Sequence, residues 1–111
     1  LNAKVMGTDS DPFYGAKTVI VVFSDSESHT CVEDGSLIMG NLMNAAHSLG
    51  ICSCWIHRAK EVFEFEEGKK LKQKWGIPES YVGIGHCIIG YTDDAIKQAA
   101  DRKSDYVVYS E

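Results

Sequence analysis

The feature that constrains this fold most is a long apolar segment between residues 30 and 50. Thr30-Cys-Val-Glu33 has the form of a capping box, in which the Thr30 hydroxyl and the Glu33 carboxylate each satisfy a free amide at a helix start. Gly50 is a typical helix end. Apolar side chains cover most of the helix between them: Leu37, Ile38, Met39, Leu42, Met43, Ala45, Ala46 and Leu49. We therefore predict a central helix that is buried by other elements or by a second subunit.

Short apolar runs elsewhere in the chain predict the strands of a sheet. The three clearest runs are Thr18–Phe23, which we expect to be buried on both faces, Ile51–Ile56, which we expect to be a short buried strand, and Val82–Tyr91. A short terminal strand is predicted at Tyr106–Tyr109, after a polar loop. Two helical pieces, Ala59–Glu67 and Lys69–Trp75, are predicted with Gly68 between them. At 111 residues, the chain is expected to form one layered α+β domain spanning residues 1–111.

Composition excludes several classes of protein. The net charge is −5, with basic and acidic residues interleaved, so the basic surface of a nucleic-acid-binding protein is missing. No apolar run approaches the roughly 18 residues that cross a membrane. The four cysteines come without a signal peptide, which indicates reduced thiols in a cytoplasmic protein. Because the chain begins at Leu1, we expect that something upstream has been removed or was never included.

The stretch SCWIHRAKEVF, Ser53–Phe63, concentrates residues that could carry chemistry. Cys52-x-Cys54-x-x-His57 resembles a zinc-ligand run. In a strand, however, side chains alternate between faces, so His57 cannot easily join both cysteines. We expect buried thiols that pack as small apolar groups and no metal ligands. A thiol or metal-binding module is kept as a minor hypothesis.

An ordered series of blocks closely resembles the C-terminal half of the nitroreductase family of flavin enzymes. The blocks are Cys31–Phe63, WGIP at Trp75–Pro78 and VGIGHCIIGY at Val82–Tyr91. The similarity begins near Asp11 and covers nearly the whole chain. It implies a mainly antiparallel sheet flanked by helices, a homodimer packed through long central helices, and FMN bound at the subunit interface.

The resemblance also implies an activity and a site. Family members pass a hydride from NADH or NADPH to flavin N5, and the electrons then go to nitroaromatics, quinones or similar small-molecule acceptors. In the family, backbone amides after the second strand face N5 and O4 of the flavin. By position these amides belong to His57 and Arg58, and Trp55 and Ile56 line the approach. No side chain is assigned as catalytic, because the cofactor carries the chemistry.

Two departures from the family pattern weaken the predicted FMN site. The family places a basic pair on the FMN phosphate, and Arg102 matches its second member, whereas Ala100 stands at the first. The family's N-terminal arginine and serine cluster has no counterpart before Leu1. The alternative to an FMN-dependent oxidoreductase is therefore a non-enzymatic remnant that folds and dimerises through its central helix without retaining flavin.

Overall fold

The computed structural model describes residues 1–111 and contains four helices and three strands. In chain order these are α1 (Asn2–Met6), β1 (Thr18–Asp25), α2 (Cys31–Ser48), β2 (Cys52–Ile56), α3 (Ala59–Glu64), α4 (Glu66–Lys74) and β3 (Tyr81–Gly90). The three apolar runs predicted as strands are the three strands of the structure. Helix α1 was not predicted.

The strands form one antiparallel sheet in the order β1-β3-β2, so the last strand in the sequence lies in the middle. Thr18 pairs with Ile89 on one side of β3, and Cys52 pairs with Gly90 on the other. This confirms the predicted α+β class with an antiparallel sheet. The expectation that β1 is buried on both faces is wrong, because β1 is an edge strand in which only Val22 is buried. The expectation that the second strand is buried is also wrong, because β2 lies at the other edge and none of its residues is buried.

A β-bulge shapes the middle strand. Val22 pairs with Gly85 and the next residue, Phe23, pairs with Gly83, which leaves Ile84 as the extra residue of β3. Ile84 therefore turns towards α2, where it lies against Gly35 so closely that a Cβ at residue 35 would collide with it. The bulge and the glycine together bring α2 close to the sheet.

Helix α2 contacts all three strands, but it buries only one of its faces within the chain. Gly35, Met39 and Ala46 are buried against the sheet. Leu37, on the side away from the sheet, is exposed, and Val32, Ile38 and the C-cap residue Leu49 are exposed at other positions around and at the ends of the helix. The prediction of a buried helix is thus met on the sheet side, and burial by a second subunit stays a prediction. The predicted capping box does not form, because the Thr30 hydroxyl lies 2.9 Å from the Asp34 carboxylate instead of binding a free amide.

Helix α3 packs against β3 on the other face of the sheet, and α4 packs against α3. His86 and Cys87 are consecutive in β3 and so point to opposite faces; Cys87 packs with Met39 of α2, and His86 lies near Phe63 of α3. The break between the two helices is at Phe65, in extended conformation, and not at the predicted Gly68. Gly68 is instead buried inside α4, because only a residue without a side chain can lie against the Val62 carbonyl.

Residues 91–111 contain no helix or strand. The predicted terminal strand at Tyr106–Tyr109 is wrong: all four side chains are exposed and no strand of the chain pairs with them. An apolar run specifies a strand only where a partner edge is within reach. None of the helices combines the length and apolar character that crossing a membrane requires.

Candidate functional site

The predicted flavin-contact residues lie where β2 ends and the chain turns into α3. Trp55 and Ile56 are the last residues of β2, and His57 and Arg58 form the connection to Ala59, the first residue of α3. Arg58 has φ of 75°, in the left-handed region. That conformation costs a residue with a Cβ roughly 1–2 kcal/mol, so surrounding contacts must hold this connection, which we call the β2–α3 loop (residues 56–58).

A groove with a volume of about 560 Å³ lies beside this loop. It is lined by nine residues, namely Met6, Ser10, Asp11, Pro12, Tyr14, Trp55, Ile56, His57 and Arg58. Small-molecule sites typically measure roughly 300–1,000 Å³, so its size suits a ring system. The structure thus brings four of the five predicted contact residues together.

Arg102 is the fifth predicted contact residue, and it does not line this groove. It is exposed, and its guanidinium makes a local contact of 3.4 Å with the carbonyl of Ala100. Its role in binding phosphate stays a prediction.

The backbone amides of His57 and Arg58 are free to donate. Among the hydrogen bonds outside the helices and strands, none uses either amide as its donor. Both residues are exposed. The carbonyls of the loop are engaged instead: that of His57 accepts a hydrogen bond from Asn2 Nδ2 at 3.0 Å, that of Ile56 lies 3.4 Å from His86 Nδ1, and that of Arg58 accepts from the Val62 amide at 2.9 Å.

His86 and Asn2 are parts of the site that sequence reasoning missed. His86 is buried between the rings of Phe13 and Phe63, with ring centroids 5.2 and 6.1 Å away. Burial lowers the pKa of His86 below its ordinary value of 6.5, although hydrogen bonding to the backbone of Ile56 and His57 acts in the opposite direction. A histidine inside an apolar strand was the one available signal. Asn2 offered none, because its partner lies 55 positions away in sequence.

Trp55 divides its contacts between the groove and the core. Its ring packs against the apolar cluster of Val22, Met39 and Cys87, and lies 6.0 Å from the His57 ring. Trp55 Nε1 is buried with no hydrogen-bond partner, next to Gly85. A Cβ at residue 85 would lie 2.6 Å from that nitrogen, so the glycine makes room for the indole.

The cysteines behave differently from the expected buried thiols. Cys52 and Cys54 are exposed, because β2 is an edge strand and their common face is uncovered. They line a second groove of about 650 Å³ together with Tyr14 and Tyr91. Only Cys87 is buried, and burial raises its pKa.

The fold is that of the FMN-bound nitroreductases. A nitroreductase with bound FMN from Bacteroides fragilis matches with a TM-score of 0.83 and 24% identity, over 97% of this chain and 59% of that one. A second, from Desulfitobacterium hafniense, gives a TM-score of 0.77 and 24% identity, over 97% and 58%. An FMN-dependent nitroreductase from Clostridium difficile is 28% identical, with a TM-score of 0.64, over 84% and 56%.

The sequence points the same way. The model described as the Nitroreductase family matches residues 4–91, and this chain belongs to that family. It spans somewhat more than half the length of the solved relatives above. No curated protein matches it in sequence.

Proposed function

We propose that this chain is the flavin-contacting part of an FMN-dependent oxidoreductase, with the edge of the flavin ring placed against the β2–α3 loop. The proposal is carried by one observation: the amides of two consecutive exposed residues, His57 and Arg58, have no acceptor within the chain and lie beside a groove of suitable size. Family membership and the FMN of the similar structures support it.

The residues present fit the ring portion of FMN better than its phosphate. When bound, FMN supplies the two-electron redox chemistry. Two backbone amides can donate to ring atoms that gain negative charge on reduction, and they do so without a titratable side chain. The phosphate would rely on Arg102, which lies in the exposed tail.

The substrates proposed for the reaction follow from family membership. NADH or NADPH serves as the reductant, and a nitroaromatic, a quinone or a related small molecule accepts the electrons. Tyr14 and Met6, both exposed at the groove, give an acceptor an apolar surface to pack against.

The test is the visible absorption spectrum of the purified chain after incubation with FMN and removal of free ligand by gel filtration. We expect retained flavin absorbance that bleaches when NADH or NADPH is added. A colourless protein would refute the proposal for these 111 residues.

The second candidate is a dimerising scaffold that holds no flavin. The exposed apolar surface of α2 and its C-terminal end favours it, since Leu37 is 69% exposed and the C-cap residue Leu49 is 73% exposed, and monomeric proteins rarely leave large apolar patches uncovered. Homodimerisation through this surface is compatible with both candidates. Sedimentation equilibrium with and without FMN separates them, because a scaffold would dimerise while the flavin stays free.

A further inference from the structure

We propose that Asn2 and His86 are positioning residues, which hold the carbonyls of the β2–α3 loop so that the amides of His57 and Arg58 stay directed at the flavin. The inference rests on the proposed function, because the flavin ring is the acceptor assigned to these amides. Neither side chain is assigned a contact with the flavin; both act through the backbone of the loop.

The direction of each carbonyl in this loop fixes the direction of the amide that follows it. In a trans peptide the C=O and the following N–H point in opposite directions, and no peptide bond of this chain is cis. The His57 carbonyl accepts from Asn2 Nδ2 at 3.0 Å, so the Arg58 amide points away from Asn2. The Ile56 carbonyl faces His86 Nδ1, so the His57 amide points away from His86. Engaging the two carbonyls on the protein side therefore turns the two amides outwards.

The two anchors differ in strength. The Asn2 contact of 3.0 Å is a normal N–H···O hydrogen bond, whereas the His86 contact of 3.4 Å exceeds the usual range of roughly 2.7–3.2 Å. His86 must carry its proton on Nδ1 to donate to a carbonyl. We therefore expect Asn2 to be the stronger anchor.

Burial supports a specific role for Asn2. The residue is 3% exposed, and its Oδ1 has no hydrogen-bond partner. An orphaned buried oxygen is unfavourable, so an apolar residue would suit simple packing of α1 better than asparagine does. The hydrogen bond to the His57 carbonyl is what asparagine adds at this position.

Backbone strain explains why anchors are needed. Arg58 holds a φ of 75°, and such conformations persist only where surrounding structure enforces them. A loop released from Asn2 and His86 can relax towards ordinary backbone angles, and the two amides then lose their common direction.

The test uses four variants of the chain. Asn2→Leu and His86→Leu each replace a hydrogen-bond donor with an apolar side chain of roughly similar size. His86→Asn restores a donor near the position of Nδ1. Lys72→Met is the matched control, because Lys72 is also buried and donates to backbone carbonyls away from the β2–α3 loop, those of Glu79 and of Tyr81 at the start of β3.

Two quantities are measured for each variant: the ¹⁵N order parameters of His57 and Arg58 in the ligand-free chain, and the Kd for FMN by fluorescence titration. In the wild-type chain we expect order parameters of about 0.85, as in rigid backbone, falling below about 0.6 in N2L. The FMN Kd should rise about tenfold in N2L and about threefold in H86L, and change less than about twofold in H86N and K72M.

Unchanged order parameters and FMN affinity in N2L and H86L would overturn the positioning role. An equal loss of order at His57 and Arg58 in K72M would also overturn it, because general destabilisation would then explain the effect. If the wild-type chain does not bind FMN, the proposed function fails, and the order parameters alone decide the positioning. Should N2L not fold, the H86L and H86N pair still gives a decision.

Discussion

Helices α2 and α3 lie on opposite faces of the same sheet, and they differ in how far the chain itself buries their apolar side chains. Helix α3 buries its apolar residues within the chain: Ala59, Val62 and Phe63 are at most 5% exposed. Helix α2 buries Met39 fully but leaves Leu37 69% exposed. The residues of α3 form a packed core within the chain, whereas Leu37 on the outer side of α2 stays exposed.

The largest effect on stability is expected on the packed α3 side of the sheet. The ring of Phe63 meets that of Phe23 edge-to-face, with the two ring centroids 4.7 Å apart, and it also lies near the rings of Trp75 and His86. Phe63→Ala removes the centre of this cluster, and we expect the free energy of unfolding to fall by about 3–5 kcal/mol. Urea denaturation followed by tryptophan fluorescence measures it, and a loss below about 1 kcal/mol would show that this face is not tightly packed.

Two glycines of α2 lie in different surroundings, one against the sheet and one in open space. A Cβ at Gly35 would collide with Ile84, whereas nothing lies within 4 Å of a Cβ at Gly40. We expect Gly35→Ala to destabilise the chain by about 1–3 kcal/mol through overpacking. Gly40→Ala should stabilise it by about 0.5–1 kcal/mol through helix propensity. The midpoints of thermal unfolding should move in opposite directions, and equal shifts would contradict the assigned faces.

The next largest effect is a dependence of folding stability on pH through His86. Burial lowers the pKa of His86 in the folded chain below its ordinary value of 6.5. At a pH between the folded-state pKa and 6.5, the unfolded chain therefore binds a proton that the folded chain does not. Stability is then fully present above about pH 6.5 and falls as the pH drops towards the folded-state pKa, by at most about 1.4 kcal/mol per pH unit. Urea midpoints at about pH 7.5 and about pH 5.5 measure the slope, and His86→Leu should remove this contribution.

The smallest effect on folding is expected on the outer face of α2. Leu37→Ser removes an exposed side chain, so the free energy of unfolding of the monomer should change by less than about 0.5 kcal/mol. The same change should weaken self-association at least about tenfold if this face forms the dimer interface. Sedimentation equilibrium gives the association constant, with Glu64→Ser on α3 as an exposed control.

Sequence patterns predicted the parts of the fold that depend on local periodicity. The runs from Thr18, Ile51 and Val82 are strands, and the helix ends before Gly50 as expected. The patterns failed where the outcome depends on distant partners. The strand at Tyr106–Tyr109 has no edge to pair with, and Gly68 continues a helix because it lies against the Val62 carbonyl.

The candidate site was predictable only in part for the same reason. The positions Trp55–Arg58 followed from the family resemblance, and the structure brings them to one groove. Their supports, Asn2 and His86, lie on α1 and β3, and no local pattern links those elements to the loop. The exposure of Cys52 and Cys54 likewise depends on strand order, which places β2 at an edge.

The most direct test of the central claim is a titration of the ¹⁵N-labelled chain with FMN, followed through the amide resonances. We predict that the His57 and Arg58 signals move most, because these amides gain an acceptor. FMN that binds while those two signals stay fixed, and the signals of Cys52–Cys54 in the second groove move instead, would contradict the account.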